Sequence, residues 1–306
     1  MNSSLKAGNP FVERFVMEPK IQNFWGLAHA LEFFTMGTGA ALFILAAAIR
    51  MELGALTGVV LVLLGGVSLL QDLGKPDRFW RTTANLKTSW VARGALGVNF
   101  FMITSLLFVA PFVLELVPIG ITLPWTTGST VGMIFLALAS ASAIVVAIYH
   151  GLVLGSSSVI PAWRTALVPT QFFVNAFASG AAFLWILDSV TGSATMDPRM
   201  SVQVIALLTI ASLLILLGYT LGLSNGTAAA KTSFGILTNG KTGAYFIGGG
   251  IFVGLLLPTI LLAIALIVGP SPVSNTLTLI SSITILVGNF FSKVSVLKAG
   301  VYEPTF

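Results

Sequence analysis

Two long stretches without a charged residue constrain this chain more than any other feature. No Asp, Glu, Lys or Arg occurs within residues 117–163 or within residues 242–292. A helix needs roughly twenty apolar residues to cross a bilayer, so each stretch is long enough for two crossings and the turn between them. Because 56% of all residues are hydrophobic and only 8% are charged, the chain cannot cover an ordinary soluble fold with polar surface. These features predict an all-α integral membrane protein.

Glycine, proline and charge clusters divide the apolar sequence into eight predicted transmembrane helices. We place them at residues 24–49, 53–71, 89–116, 129–154, 168–189, 200–223, 244–268 and 274–293. The chain is predicted to form a single membrane domain over residues 1–306, with a cytoplasmic arm at 1–23 and a tail at 294–306. An even number of crossings puts both termini on the same side of the membrane.

The basic residues are distributed unequally between the two sides. Thirteen of the fifteen are predicted on the side of the termini, namely Lys6, Arg14, Lys20, Lys75, Arg78, Arg81, Lys87, Arg93, Arg164, Lys231, Lys241, Lys293 and Lys298. Only Arg50 and Arg199 are predicted on the opposite side. This asymmetry predicts cytoplasmic termini in a multi-pass protein of the cytoplasmic membrane, and it explains the net charge of +5 without a nucleic-acid partner. The alternative is a negatively charged partner that binds this side from outside.

Titratable groups gather at three predicted helix ends on the side of the termini. His29 and Glu32 are three residues apart near the start of the first helix, so their side chains share one face. The second histidine, His150, follows Tyr149 near the end of the fourth helix. The second helix ends nearby and leads into a turn that contains Asp72, Lys75 and Arg78. Ionisable groups inside a membrane are costly and commonly functional.

Such a cluster offers hydrogen bonds and protons, but it has neither a nucleophile–base arrangement nor metal-ligand spacing. It suits a quinone, a lipid-soluble molecule whose two oxygens need donors and whose reduction consumes two protons. We expect His29 and Tyr149 to donate to a quinone oxygen and Glu32 to exchange protons. With no cysteine and only two histidines, the chain can hold neither a thiolate-bound iron–sulfur cluster nor two bis-histidine haems. One haem between His29 and His150 remains an alternative.

Several motifs of the chain resemble the membrane subunits of polysulfide reductases, the NrfD family. The first comprises Phe24–Trp25 followed by the segment from His29 to Glu32. The most specific is the turn at residues 72–80, which reads DLGKPDRFW. Further matches are Ser89–Trp90 with Gly94, Tyr149–His150–Gly151 and Pro161–Ala162–Trp163. The resemblance covers most of the chain.

This resemblance implies a non-catalytic membrane anchor subunit of a respiratory oxidoreductase complex that binds menaquinone or ubiquinone. Residues 24–154 would form a quinone-binding four-helix bundle and residues 168–293 a second one. Its implied partners are an iron–sulfur electron-transfer subunit and a molybdopterin-type catalytic subunit, with no haem or iron–sulfur cluster in this chain. The quinone contacts of the family fall on His29, Glu32 and Tyr149.

The remaining polar residues have less specific expected roles. Asp72, Lys75, Arg78 and His150 are expected in proton transfer or partner docking, while the first three are equally expected to cap helix ends. Glu115 and Asp188 are expected in the headgroup layer of the far side, with a proton path across the bundles as the alternative. The amides of Gln171, Asn175, Asn99 and Asn289 are expected to hold helices together.

Two other function classes stay open at the level of the sequence. A secondary transporter with a carboxylate-dependent substrate path would also bury Glu32, but it predicts inverted halves with corresponding broken helices. A purely structural anchor would hold a peripheral enzyme without binding quinone. Quinone-linked turnover of variants at His29 and Glu32 separates the structural anchor from the quinone-binding subunit.

Overall fold

The computed structural model describes residues 20–72, 85–117 and 120–303, without the side chains of residues 70–72. In these ranges the helices are α1 Leu27–Ala48, α2 Glu52–Asp72, α3 Trp90–Leu116, α4 Thr130–Gly155, α5 Leu167–Thr191, α6 Pro198–Ser224, α7 Ala228–Thr238, α8 Gly240–Val268 and α9 Pro272–Lys298. All except α7 are long and apolar enough to cross a membrane. The prediction of an all-α protein with eight transmembrane helices is confirmed.

Three elements differ from the predicted pattern. The short α7 was not predicted, and α9 continues to Lys298 instead of ending near Lys293. As a result Lys293 does not lie in a loop of the terminal side, as the charge count assumed, but inside a transmembrane helix. The helix α8 also has π-helical geometry over Ala244–Leu256.

Side-chain caps explain where several helices begin. The Ser89 hydroxyl accepts a hydrogen bond from the Ala92 amide before α3, and the Ser129 hydroxyl accepts one from Gly132 before α4. The Asp197 carboxyl does the same for Met200, directly before Pro198 opens α6. Such caps satisfy amides that have no partner within the helix. The loop residues therefore fix the ends of the crossings.

The helix α1 lies at the centre of the packing and contacts α2, α4, α5 and α9. Glycines allow the closest contacts: Gly39 of α1 meets Gly58 of α2, and Gly180 of α5 meets Ala41 of α1. Small residues at such crossings let backbones approach in lipid. Because α1 packs on both α5 and α9, the division into two four-helix bundles stays a prediction.

The segments before α1 and after α9 meet on one face, which we call the terminal face. Ile21 and Val301 form an antiparallel bridge, and the Gln22 amide donates to the Gly300 carbonyl over 2.9 Å. The Trp163 indole, from the loop between α4 and α5, donates to the Val296 carbonyl over 3.0 Å. These contacts join the start of α1, the end of α4 and the end of α9.

Candidate functional site

Glu32 lies in the second turn of α1, and its side chain is buried with 3% exposure. The Tyr149 hydroxyl, from α4, donates a hydrogen bond to Glu32 Oε1 over 3.2 Å and lies 3.4 Å from Met36 Sδ. His150 Nε2 lies 3.5 Å from the same carboxyl oxygen. A carboxyl, a phenol and an imidazole from two helices therefore meet inside the membrane-spanning region.

Aromatic packing fixes the orientation of these groups. The ring of His150 lies 4.5 Å from that of Phe33 and 3.8 Å from that of Tyr149, measured between ring centres. On α3, Gly94 faces the Tyr149 ring so closely that a Cβ atom at this position would overlap it. The absence of a side chain at Gly94 is therefore what allows Tyr149 to reach Glu32.

A cavity of about 240 Å³ lies beside Glu32, between the pair α1/α2 and the pair α3/α4. Its polar side chains are those of Trp25, His29, Glu32, Asn99 and Tyr149, and the rest of the lining is apolar. A large apolar wall with a few convergent polar groups is typical of small-molecule sites, whose volumes start at roughly 300 Å³. The cavity is slightly smaller than this, which suits a ligand that places only its ring there.

The cavity reaches the lipid-facing surface between α2 and α3. Leu63 and Val67 of α2 and Val91 of α3 line it, and all three side chains are also exposed on the outside of the helices. Among the described residues this side of the cavity is therefore apolar and partly exposed, which suits a hydrophobic ligand.

The structure brings together three of the residues singled out from the sequence. His29, Glu32 and Tyr149 all line the cavity, and the ring of His29 lies 4.9 Å from that of Trp25. His150, expected in proton transfer or partner docking, does not line the cavity but is buried with 1% exposure behind Glu32. The side chain of Asp72, and Lys75 and Arg78 as a whole, lie outside the described residues.

Of the other polar residues singled out from the sequence, some have the expected role and others do not. Asn289 holds helices together as expected, because its amide donates to the Asn175 carbonyl and the Ser179 hydroxyl of α5. For Asn99 this expectation was wrong, since its amide donates to Ala95 of the same helix over 2.8 Å and the residue lines the cavity. Asp188 is buried and accepts a hydrogen bond from the Thr195 amide, so it orders the loop after α5.

Sequence reasoning missed two contacts of the site. Met36 lies one turn after Glu32, and the i,i+4 spacing would have placed it beside the carboxyl. Phe33 gave no signal, because an apolar ring next to Glu32 is indistinguishable from ordinary core. Among the described residues no three His, Asp or Glu side chains group in a way that could hold a metal ion. The carboxyl, phenol and imidazole groups of the site support hydrogen bonding and proton exchange.

Comparison with known proteins gives a family match over nearly the whole chain. The sequence model of the family described as "Polysulphide reductase, NrfD" matches residues 16–304. A search of curated proteins finds no match.

Proposed function

The chain belongs to the NrfD polysulphide reductase family, and from this membership we propose that it is the quinone-binding membrane subunit of a respiratory oxidoreductase complex. The family consists of membrane subunits of polysulphide-reductase-like complexes. In such a complex this subunit exchanges electrons between the quinone pool and an iron–sulfur partner. The partner carries the metal chemistry, and the chain supplies the site for the lipid-soluble carrier.

The meeting of Glu32, Tyr149 and His29 at a mostly apolar cavity is the observation that carries this proposal. A bound quinone supplies a pair of carbonyl oxygens that become hydroxyls when two electrons and two protons are added. Tyr149 can turn its single O–H from Glu32 to such an oxygen, and His29 can donate a ring N–H to it. Glu32 can exchange a proton with it and with His150 behind it. The apolar walls hold the ring and the chain.

The position of the site favours an electron-transfer subunit over a transporter. Glu32 lies in the second turn of α1, close to the terminal face, whereas secondary transporters bind their substrates near the middle of the membrane. An iron–sulfur subunit docked on the terminal face would lie near the cavity. We propose that this face is cytoplasmic, because most basic residues of the chain are predicted on it from the sequence.

The proposal is tested by replacing Glu32 with Gln in the purified complex. We expect quinone-linked turnover to fall roughly 100-fold, because a positioned proton-exchanging group typically contributes at least that much. Reduction of a water-soluble dye by the partner subunits should be unchanged. The matched control is Glu52→Gln, a carboxyl at the start of α2 on the opposite face that accepts a hydrogen bond from Thr127. Equal quinone turnover in the two variants would refute the role of Glu32.

A further inference from the structure

A second cavity lies on the opposite face of the molecule from the terminal face. It measures about 550 Å³ and is lined by the end of α1, the start of α2, α3, the loop before α4 and the first turns of α4. Its polar side chains are those of Arg50, Glu52 and Thr127, and the rest of the lining is apolar or glycine. Because Arg50 and Met133 are also exposed, the cavity borders the surface of the molecule.

This second cavity is distinct from the quinone cavity, and the two share no lining residue. Along α1 the lining of the quinone cavity ends at Met36, and that of the second cavity begins at Ala47. Phe43 lies between these positions and is fully buried, with its ring 5.2 Å from that of Phe101 and 5.9 Å from that of Phe108. What binds in the second cavity therefore does not depend on the proposed quinone function.

Arg50 occupies a backbone position that favours glycine. It lies just after α1 with a positive φ of 59°, in the left-handed region. The Arg50 amide donates to the Ala47 carbonyl over 3.1 Å. The next amide, that of Met51, donates to the Ala46 carbonyl over 2.9 Å. This pair of hydrogen bonds ends many helices, and glycine usually takes the left-handed position because a Cβ atom is unfavourable there. The turn itself therefore gives no reason for an arginine.

The guanidinium of Arg50 forms neither a hydrogen bond nor an ion pair with the described residues. Glu52 lies two residues further on, and its carboxyl accepts a hydrogen bond from the Thr127 hydroxyl instead. Arg50 and Arg199 are also the only basic residues predicted on this face, where the charge asymmetry of membrane proteins disfavours them. Two opposite charges thus line one cavity without an ion pair between them.

The lining of the cavity is complementary to a phospholipid with a zwitterionic headgroup. A guanidinium binds phosphate oxygens through paired hydrogen bonds, and a carboxylate accepts hydrogen bonds from an ammonium group. Ala55, Phe108 and Leu136 form part of an apolar wall that can hold an acyl chain. The cavity lies where α1 ends and α2 begins, so it is at the depth of the lipid headgroups.

We propose that this cavity binds one molecule of phosphatidylethanolamine, with its phosphate on Arg50, its ammonium group on Glu52 and an acyl chain on the apolar wall. Phosphatidylglycerol carries the same phosphate but no ammonium group, so it leaves the Glu52 carboxylate without a partner of opposite charge. The site should therefore prefer phosphatidylethanolamine over phosphatidylglycerol.

The first experiment titrates the purified, delipidated protein with phosphatidylethanolamine and follows bound lipid by native mass spectrometry. Arg50→Gln and Arg199→Gln remove the same charge from the same face, and Arg199 does not line the cavity. We expect Arg50→Gln to lower the affinity for one bound lipid at least about tenfold, because charge-assisted hydrogen bonds are lost. Arg199→Gln should bind lipid like the wild type. Equal lipid binding by the two variants would overturn the proposal.

The headgroup is tested with two other probes. Phosphatidylglycerol should bind the wild type more weakly than phosphatidylethanolamine, and Glu52→Gln should remove this preference. Soluble O-phosphoethanolamine has the same headgroup charges but no acyl chain, so it should not displace the lipid at equal concentration. Equal affinity of the wild type for the two lipids would overturn the role of Glu52. Displacement by O-phosphoethanolamine would overturn the assignment to a lipid.

Arg50→Gly separates lipid binding from the structure of the turn. Glycine suits the positive φ, so in lipid-free detergent this variant should unfold at the wild-type temperature or above it. Added phosphatidylethanolamine should raise the unfolding temperature of the wild type more than that of the variant, because a ligand stabilises the state that binds it. An equal rise in both would contradict the proposal. A lower unfolding temperature of Arg50→Gly without lipid would show that Arg50 stabilises the turn itself, which would also contradict it.

Discussion

At the scale of single residues, the hydrogen bond from Tyr149 to Glu32 defines the site. Tyr149→Phe removes the hydroxyl and leaves the ring that packs on His150 in place. We expect quinone affinity to fall by about fivefold to tenfold, because the hydroxyl that would turn to the quinone oxygen is lost and such a hydrogen bond contributes roughly 1–1.5 kcal/mol. Titration of the purified complex with quinone measures the change.

Tyr219→Phe serves as the control for this prediction. Tyr219 of α6 is also buried, and its hydroxyl has no hydrogen-bond partner among the described residues. Its replacement should leave quinone affinity unchanged. A similar affinity loss in both variants would mean that the removal of any buried phenol disturbs the fold, and the role of Tyr149 would then not be specific.

Gly94 contributes to the site by having no side chain. In Gly94→Ala the new methyl group would overlap the Tyr149 ring, so the ring must move away from Glu32. We expect quinone-linked turnover to fall at least about tenfold, since a small displacement of a positioning group has a large effect on catalysis. Gly222→Ala in α6 is the control, because nothing lies within 4 Å of the added atom. Equal activity of the two variants would contradict this account of Gly94.

The sequence predicted some residues of the site and not others for physical reasons. His29 and Glu32 were predictable, because polar groups in an apolar helix are conspicuous and their spacing assigns them to one face. The burial of Lys293 was not predictable, because a basic residue near a helix end usually reaches the headgroups. Asn99 was assigned to helix packing, since a sequence does not reveal which amide faces a cavity.

At the scale of elements, the contact between α8 and α9 depends on glycine. The Cα atom of Gly288 in α9 faces the backbone of Gly254 in the π-helical part of α8, and a Cβ at Gly288 would overlap that backbone. Gly288→Ala must push the two helices apart. We expect destabilisation of about 1–3 kcal/mol, the usual cost of overpacking, measured as a lower unfolding temperature in detergent.

Gly248→Ala is the matched control in the same π-helical segment. No atom lies within 4 Å of a Cβ at Gly248, so this variant should unfold at the wild-type temperature or slightly above it. If Gly288→Ala were as stable as Gly248→Ala, the close approach of α8 and α9 would not contribute to stability.

The transmembrane helices were predictable because a bilayer imposes length and composition on each crossing. The short α7 and the π-helical geometry of α8 were not. The helix α7 is too short to cross and carries Lys231, so its composition does not distinguish it from a loop. The π-helical segment packs on Gly288 and Ser292 of α9, and composition does not distinguish such a rare geometry from an ordinary α-helix.

At the scale of the whole molecule, orientation follows from the basic residues. Without the buried Lys293, twelve Lys and Arg residues remain predicted on the terminal face and two on the opposite face, so the predicted orientation is unchanged. A green fluorescent protein fused to the C-terminus should fluoresce, and alkaline phosphatase fused there should be inactive. Active phosphatase would show that the C-terminus lies outside the cytoplasm. The iron–sulfur partner proposed on the terminal face would then lie outside as well.

The central claim is that a quinone binds between α1 and α4 at Glu32 and Tyr149. Its most direct test is photo-crosslinking of the purified complex with a quinone that carries a photoreactive group on its ring, followed by mapping of the labelled peptides. We expect labelling within α1, around residues 29–36, and within α4, around Tyr149, and we expect excess unlabelled quinone to suppress it. Labelling confined to α6, α8 or α9, or labelling that excess quinone does not suppress, would contradict the account.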